Sequence, residues 1–389
     1  MSPKIIYLAP RGARRLERGH PWIYRVDLAR VPEDTRGGDL VAVRTPDGHL
    51  HGFATFSDQG ALAARLTPIP ADAPDPEAAL LDLIDNAVAR RDDRPAACRL
   101  VNGDADGLPG LVVDRYGPAL ALQTLTQATE RRQAAIVSRL RALTGAKAVV
   151  ARNDVRVRTF EGLGQEKGVV YAEPGLDPAD VMVEMHGLRL RYDLLEGQKT
   201  GGFLDQTDNR VAAAARARGE VLDCFSYDGG FTLHMARAGL QVTAVDSSEP
   251  ALERLRRRAA DNGLSVATAC ENVFDLLRAY EREGRHFDTI VLDPPAFAKS
   301  RQSVEAGRRA YKEINLRALK LLRPGGLLVT CSCSAHMDRA GFEQILALAA
   351  ADARRFVRVL ERRSAAPDHP SLVTAPETDY LKVLFAEAH

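Results

Sequence analysis

Apolar residues in the first 70 positions come in short runs, KIIYLAP, LVAVRTPDG, HGFATFSDQG and ALAARLTPIP, each broken by glycine or proline. Runs of that length between turn formers predict a small β-rich module. The stretch PIPADAPDPEAA over 68–79 is rich in proline and poor in apolar residues, and it marks a boundary. From Pro76 to about Asp92, Leu80, Leu83, Ile84, Ala87 and Val88 recur at helical spacing. RLVNGDADGLPGLVVDRYGPALALQTLT then reads as a loop and a β-hairpin, ATERRQAAIVSRLRALTG as a helix, and KAVVARNDVRVR and GVVYAEPG as strands. Together these form a mixed module ending near 180.

From 181 the pattern changes. VMVEMHGLRLRYDLL alternates around His186-Gly187, which predicts a hairpin. After it, GEVLDCFSYDGGF, LQVTAVDSSE, ATACENVFDLL, FDTIVLDPPAF and GGLLVTCSCS are apolar runs ending in polar or glycine-rich turns, with amphipathic helices between them. In the helix from Pro250 to Asn262, Leu252 and Leu255 are expected to face inward and Arg254, Arg256, Arg257 and Arg258 outward. This alternation predicts an α/β fold: a Rossmann-like, mostly parallel, doubly wound sheet with its ligand at the carboxyl ends of the strands.

Composition adds limits. With 389 residues, 45% of them hydrophobic and 27% charged, the chain is globular and long enough for two or three domains. A formal net charge of +1 gives no global basic field, so nucleic-acid binding has to rest on local patches. One candidate is 11–30, with Arg11, Arg14, Arg15, Arg18, Arg25 and Arg30 against Glu17 and Asp27; a solvated face accounts for it equally well. Cys98, Cys224, Cys270, Cys331 and Cys333 lack the spacing of a disulfide framework or zinc site, so reduced thiols and no metal are expected. There is no signal-like apolar core at the start and no run of the ~18 to 20 apolar residues that a span requires, which points to a soluble cytoplasmic protein with no membrane partner.

The candidate chemistry lies at the strand ends. The first strand of the repeat ends at Asp223, and Gly229 and Gly230 allow a sharp turn close to a bound molecule. The second ends at Asp246, a carboxylate suited to ribose hydroxyls. A dinucleotide site would show G-x-G-x-x-G around a pyrophosphate, whereas this loop reads DCFSYDGGF, where Asp228 would repel phosphate. S-adenosylmethionine has no phosphate and carries a sulfonium and an ammonium, so carboxylates suit it better. Asn272, after the third strand, is either an adenine contact or an ordinary turn residue.

The fourth strand ends in Asp293-Pro294-Pro295-Ala296-Phe297, a stiff turn presenting one carboxylate and one aromatic ring, used by many enzymes that methylate exocyclic base amines. The fifth ends in LLVTCSCS, which puts Cys331 and Cys333 at the mouth of the cleft. Carbon 5 of a pyrimidine is a weak nucleophile until a thiolate adds to carbon 6, so a cysteine here favours C5 methylation. Asp293 would then hold the N3 edge of the ring. Alternation leaves both cysteines on one face, and the residues alone do not choose between them.

These residues resemble the bacterial and archaeal 23S ribosomal RNA large-subunit methyltransferases that form 5-methylcytosine, the RlmI-like enzymes. The resemblance spans nearly the whole chain through GHPWIY, RLVNGDADGLPGLVVDRYG, EGQKTGGFLDQTDNR, LDCFSYDGGF, LDPPAFAKS, SCS and the closing DHP and YLK. It implies a PUA-like RNA-binding domain over 1–72 that includes Trp22, a central α/β RNA-binding domain over 73–180, and a class I methyltransferase domain over 181–389. It implies Cys333 as the nucleophile beside Asp293, and cofactor contacts from Phe203, Asp205, Asp223, Phe225, Ser226, Gly229, Asp246, Ser247, Asn272 and Asp293. The partner is then ribosomal RNA, naked or in an assembling subunit, with a homodimer among the open arrangements. The chain departs from the family pattern at Gly202, Thr207, Asp228 and Asn272, where a bulky aromatic, Arg, Thr and Asp are usual. Alternatives are uracil-C5 methylation, exocyclic-amine methylation, or a non-catalytic RNA-binding protein of ribosome assembly.

Overall fold

The punctuated runs of the first 70 residues form strands in the computed structural model, which describes residues 3–298 and 300–389. Lys299 of the LDPPAFAKS motif lies outside that description. The chain divides into two units: Met1–Met185 with Arg191–Leu204 and Asp368–Thr378, and His186–Leu190 with Asp205–Pro367 and Asp379–His389. The passage between them runs through the expected turn, where His186 (φ 49°) and Gly187 (φ 71°) take the left-handed conformations of a primed hairpin turn.

The first unit holds a six-stranded and a five-stranded sheet. In the six-stranded sheet, Ile6, Val41, Val43, Ala54 and Ala64 alternate inward to make the core. Trp22 is on its edge strand, and Trp22 Nε1 donates to Asp104 Oδ1 at 2.8 Å. Helix Pro76–Ala89 begins where Asp75 accepts from Ala78 N, and it buries Leu80, Ile84 and Ala87 against the five-stranded sheet. Three local expectations change. RLVN is part of strand Ala97–Asn102, not loop; the expected single helix breaks at Arg132; and the end of the expected strand KAVVARNDVRVR, 156–158, falls in the 3-10 turn Arg156–Glu161. Within the arginine-rich stretch, Arg11 and Arg15 pair with the buried Asp27 at 3.4 and 3.3 Å. Arg25 donates to the carbonyls of Ser57, Gln59 and Gly60, while Arg14 and Arg18 are exposed. The space an aromatic would take at Gly202 is filled by the Tyr192 ring, 2.8 Å from where a Cβ would lie.

The second unit carries β1 (Glu220–Cys224), β2 (Gln241–Asp246), β3 (Ala267–Cys270), β4 (Phe287–Leu292), β5 (Leu322–Ser332), β6 (Val357–Arg363) and β7 (Lys382–Ala388). Their order is β3-β2-β1-β4-β5-β7-β6, parallel from β1 to β5, with β7 antiparallel between β5 and β6. Helices α1 (Thr207–Arg216), α2 (Gly230–Arg237) and α3 (Glu249–Asp261) cover one face through Ala213, Phe231, Met235, Leu252 and Leu255. Helices α4 (Val273–Glu283), α5 (Val304–Leu321) and α6 (Arg339–Ala353) cover the other through Leu277, Ile314, Leu319 and Phe342. Burial on both faces explains why these strands read as continuous apolar runs. The order reverses between β1 and β4, which opens a crevice at their carboxyl ends. Arg258 corrects the reading of α3: it is 6% exposed and turned inward. Among the described residues no helix is long and apolar enough to cross a membrane.

Candidate active site

At the end of β1, Asp223 is buried, and its Oδ2 accepts from Thr232 N at 2.9 Å and Thr232 Oγ1 at 2.6 Å. Among the described residues its Oδ1 has no hydrogen-bond partner, and neither does the buried Ser226 Oγ three residues on. Burial, and then the charge of Asp293, raise the Asp223 pKa from 3.8 to about 7 against the pull of the Thr232 donors. The loop between β1 and α2 doubles back through left-handed Phe225 (φ 63°), Tyr227 (φ 49°) and Gly229 (φ 89°). Non-glycine residues pay for that conformation and usually hold it at functional sites. The end of β2 secures the loop: Ser226 N donates to the Val245 carbonyl at 3.0 Å, and Tyr227 N to Asp246 Oδ2 at 2.9 Å. Asp246 Oδ1 accepts from Ser248 N at 2.9 Å, leaving Ser247 exposed between them.

Two expectations about this loop change. Asp228 is not an open negative charge, because Arg258 reaches in from α3 and pairs with it at 2.8 Å, both side chains being buried. The glycines are needed for packing within the protein: a Cβ at Gly229 would meet Leu255 at 2.6 Å, and one at Gly230 would meet the Arg210 guanidinium at 2.4 Å. Asn272 caps α4 by accepting from Phe274 N at 2.9 Å.

Across the crevice, Asp293 follows β4, and Gln206 Nε2 donates to its Oδ1 at 3.0 Å. Asn209 Nδ2 holds Gln206 Oε1 at 2.7 Å, which fixes the amide's orientation. Phe297 packs with Phe225 and Phe274, ring centroids 6.2 and 5.8 Å away, and makes an apolar wall. Cys331 is fully buried inside β5, where burial and then Asp293 push its pKa far up, so it is an inert thiol. Cys333 stands just beyond the strand, half-buried, with Sγ 4.0 Å from the Pro294 carbonyl. The structure therefore brings Cys333 to the Asp293-Pro294-Pro295 turn and keeps Cys331 in the sheet. Ser334 ties the two segments together, its Oγ 2.9 Å from Tyr311 OH and accepting from Ala298 N at 3.2 Å. Asp205 is buried, with its Oδ2 accepting from Tyr380 OH at 2.7 Å. Phe203 belongs to the first unit, with Lys199 Nζ 4.6 Å over its ring.

Sequence reasoning did not single out Gln206, Tyr311 or Lys382. Gln206 and Lys382 sit inside two of the family-like motifs, EGQKTGGFLDQTDNR and YLK, the signal by which they could have been found. Tyr311, in the middle of α5, carries no such signal.

A cationic, phosphate-free ligand fits the β1 end. The unsatisfied Asp223 Oδ1 and Ser226 Oγ call for donors, and a positive charge there would return Asp223 to its ionised form. Residues 120–385 match the family described as S-adenosylmethionine-dependent methyltransferase, and 6–67 match the PUA-like domain. A protein of Aeromonas hydrophila called ribosomal RNA large subunit methyltransferase I is 38% identical, over 98% of this chain and 99% of that protein. Proteins of the same name from Klebsiella pneumoniae and Vibrio cholerae are 38% and 36% identical, each over 98% of this chain and at least 97% of their own length.

The chain belongs to this methyltransferase family.

The methyltransferase shares its fold with a SAM-dependent methyltransferase from Streptococcus mutans, at a TM-score of 0.81 and 20% identity over 99% of this chain and 100% of that one. A second methyltransferase structure, complexed with SAH, aligns at 0.82 and 20% identity over the full length of both chains. S-adenosylmethionine is its cofactor.

Proposed function

We propose that this methyltransferase modifies C5 of a cytosine in large-subunit ribosomal RNA through a covalent adduct with Cys333. The observation that carries the reading is the pairing of Cys333 Sγ with the Asp293-Pro294-Pro295 turn, 4.0 Å from the Pro294 carbonyl, at the same strand ends as the unsatisfied Asp223. The names of the relatives, at 36–38% identity along the full chain, support the ribosomal RNA substrate. S-adenosylmethionine, when bound, supplies the electrophilic methyl group, with Asp223, Ser226, Asp246 and neighbouring residues to hold it.

The Cys333 thiolate adds to C6, and the C5–C6 π electrons move toward N3, where Asp293, oriented by Gln206, donates a proton to the ring edge. C5 is then electron-rich and takes the methyl group, whose bond to the cofactor's sulfonium would break with a neutral thioether leaving, while N3 returns its proton to Asp293. Loss of the C5 proton to a base and departure of the thiolate restore the double bond and regenerate Cys333. Phe225, Phe274 and Phe297 give the crevice an apolar wall beside that turn. On this reading residues 1–72 and 73–180 hold the RNA, 181–389 carry out the chemistry, and the enzyme works in the cytoplasm beside its substrate.

The test is incubation with isotope-labelled S-adenosylmethionine and unmodified 23S rRNA, followed by nucleoside mass spectrometry. Labelled 5-methylcytidine is the expected product, and Cys333→Ala is expected to abolish it while leaving cofactor affinity within about twofold. A methylated uridine would change the pyrimidine. A methylated exocyclic amine, formed equally well by Cys333→Ala, would overturn the adduct.

A further inference from the structure

Lys382 opens β7 opposite Ser332, the last residue of β5. Its Nζ reaches past that pairing and donates to the carbonyls of Ser334 and Tyr380, each at 2.8 Å. The side chain thus runs along the 332–334 segment from its register partner to the carbonyl two residues on, which sets the ammonium against the backbone one residue past Cys333. Lys382 is 2% exposed. Two carbonyls are partial compensation for a buried ammonium, which also calls for a negative charge.

The acids that face it are engaged elsewhere. Asp379 lies 3.8 Å from Arg339, and Asp338 Oδ1 accepts from Gly341 N at 2.7 Å to cap α6. Arg339 adds a like charge. Burial is the largest influence on Lys382 and brings its pKa from 10.5 to about 8, with Asp379 and then Cys333 acting in the opposite direction.

We propose that Lys382 is a positioning residue that supplies the counter-charge for the Cys333 thiolate. Its ammonium, pinned by the Ser334 and Tyr380 carbonyls, favours the ionised sulfur before addition to C6 and again as the sulfur leaves. The proposal rests on Cys333 being the nucleophile. A purely structural lysine would tie the strand end through the same two carbonyls without affecting the thiol's reactivity, and that difference is measurable.

Alkylation of the full-length protein by iodoacetamide, scored on the Cys333 peptide by mass spectrometry from about pH 6 to about pH 10, reads the thiolate directly. The wild type is expected to show its inflection below the ~8.5 of an ordinary thiol. Lys382→Met and Lys382→Gln should move it up by roughly one unit, with kcat down about tenfold near neutral pH and cofactor affinity unchanged. The Gln amide can still donate to a carbonyl, so its loss of reactivity would report the charge. Lys382→Arg should restore the low inflection and extend activity to higher pH, because the guanidinium does not titrate there. A wild-type inflection at or above the ordinary value overturns the proposal whether or not any variant folds, as does an unchanged inflection in a folded Lys382→Gln. Full activity of Cys333→Ala would instead bring down the nucleophile reading, whatever the alkylation profile shows.

Discussion

Asp223 is a carboxyl held at a cost to the fold, buried with its pKa raised. Its folded pKa of about 7 lies above the ~3.9 of an unfolded aspartate, so between those values the folded state binds more protons. The stability it contributes is therefore greatest at acid pH and falls as pH rises through that window. Asp223→Asn is expected to raise the melting temperature near pH 8 by roughly 2–4 °C, the shift that about 1 kcal/mol produces in a domain of this size, with little effect near pH 4. On the proposed reading, in which Asp223 faces the cofactor's cation, the same variant should weaken S-adenosylmethionine at least about tenfold by calorimetry. Wild-type affinity should likewise decline as pH drops below about 7 and Asp223 protonates. Undiminished affinity in Asp223→Asn would show that the carboxylate faces something else. The identity of this residue was legible in the sequence, because a carboxylate ending a buried strand has few structural uses. Its unsatisfied oxygen was not, since that depends on where Thr232 points.

At the scale of elements, α3 and the loop between β1 and α2 are joined by Arg258 and Asp228. Removing one partner of a buried pair leaves the other charge stranded, so Arg258→Ala is expected to cost about 3–5 kcal/mol in denaturant unfolding, and the double variant with Asp228→Ala to recover much of it. Additive losses would mean the pair is not coupled. The outward assignment of Arg258 placed all four arginines of RLRRRAA in solvent by residue type, with Leu255 alone turned inward. Yet 251, 255, 258 and 259 form a single stripe at helical spacing, and Ala251, Leu255 and Ala259 on it are all buried. Periodicity thus carried the information, and residue type masked it. The split at Arg132 and the 3-10 turn at 156–161 carried no such signal, because short polar-rich segments adopt whatever backbone their neighbours leave room for.

For the whole molecule, a near-neutral chain binding a polyanion must concentrate its basic surface. Arg14 and Arg18 are exposed, whereas Arg11, Arg15 and Arg25 are drawn into interactions with Asp27 and with loop carbonyls. Arg14→Ala with Arg18→Ala is therefore expected to lower RNA affinity and to reduce the slope of log affinity against log salt by roughly 1.5, about 0.7–0.9 for each phosphate no longer neutralised. An unchanged slope would place the RNA elsewhere. The sequence by itself determined the parallel α/β sheet, the strand-end carboxylates and the cysteine at the DPPAF turn, because alternating apolar runs and helices leave few other ways to bury both faces of a sheet. The resemblance implied Cys333, but only the tertiary structure supplies the physical reason: the length of β5 keeps Cys331 inside and releases Cys333. Only the insertion of β7 between β5 and β6 brought Lys382 to the Ser334 carbonyl, one residue past Cys333. Strand order is set by long-range pairing across the fold, and no local pattern of residues encodes it.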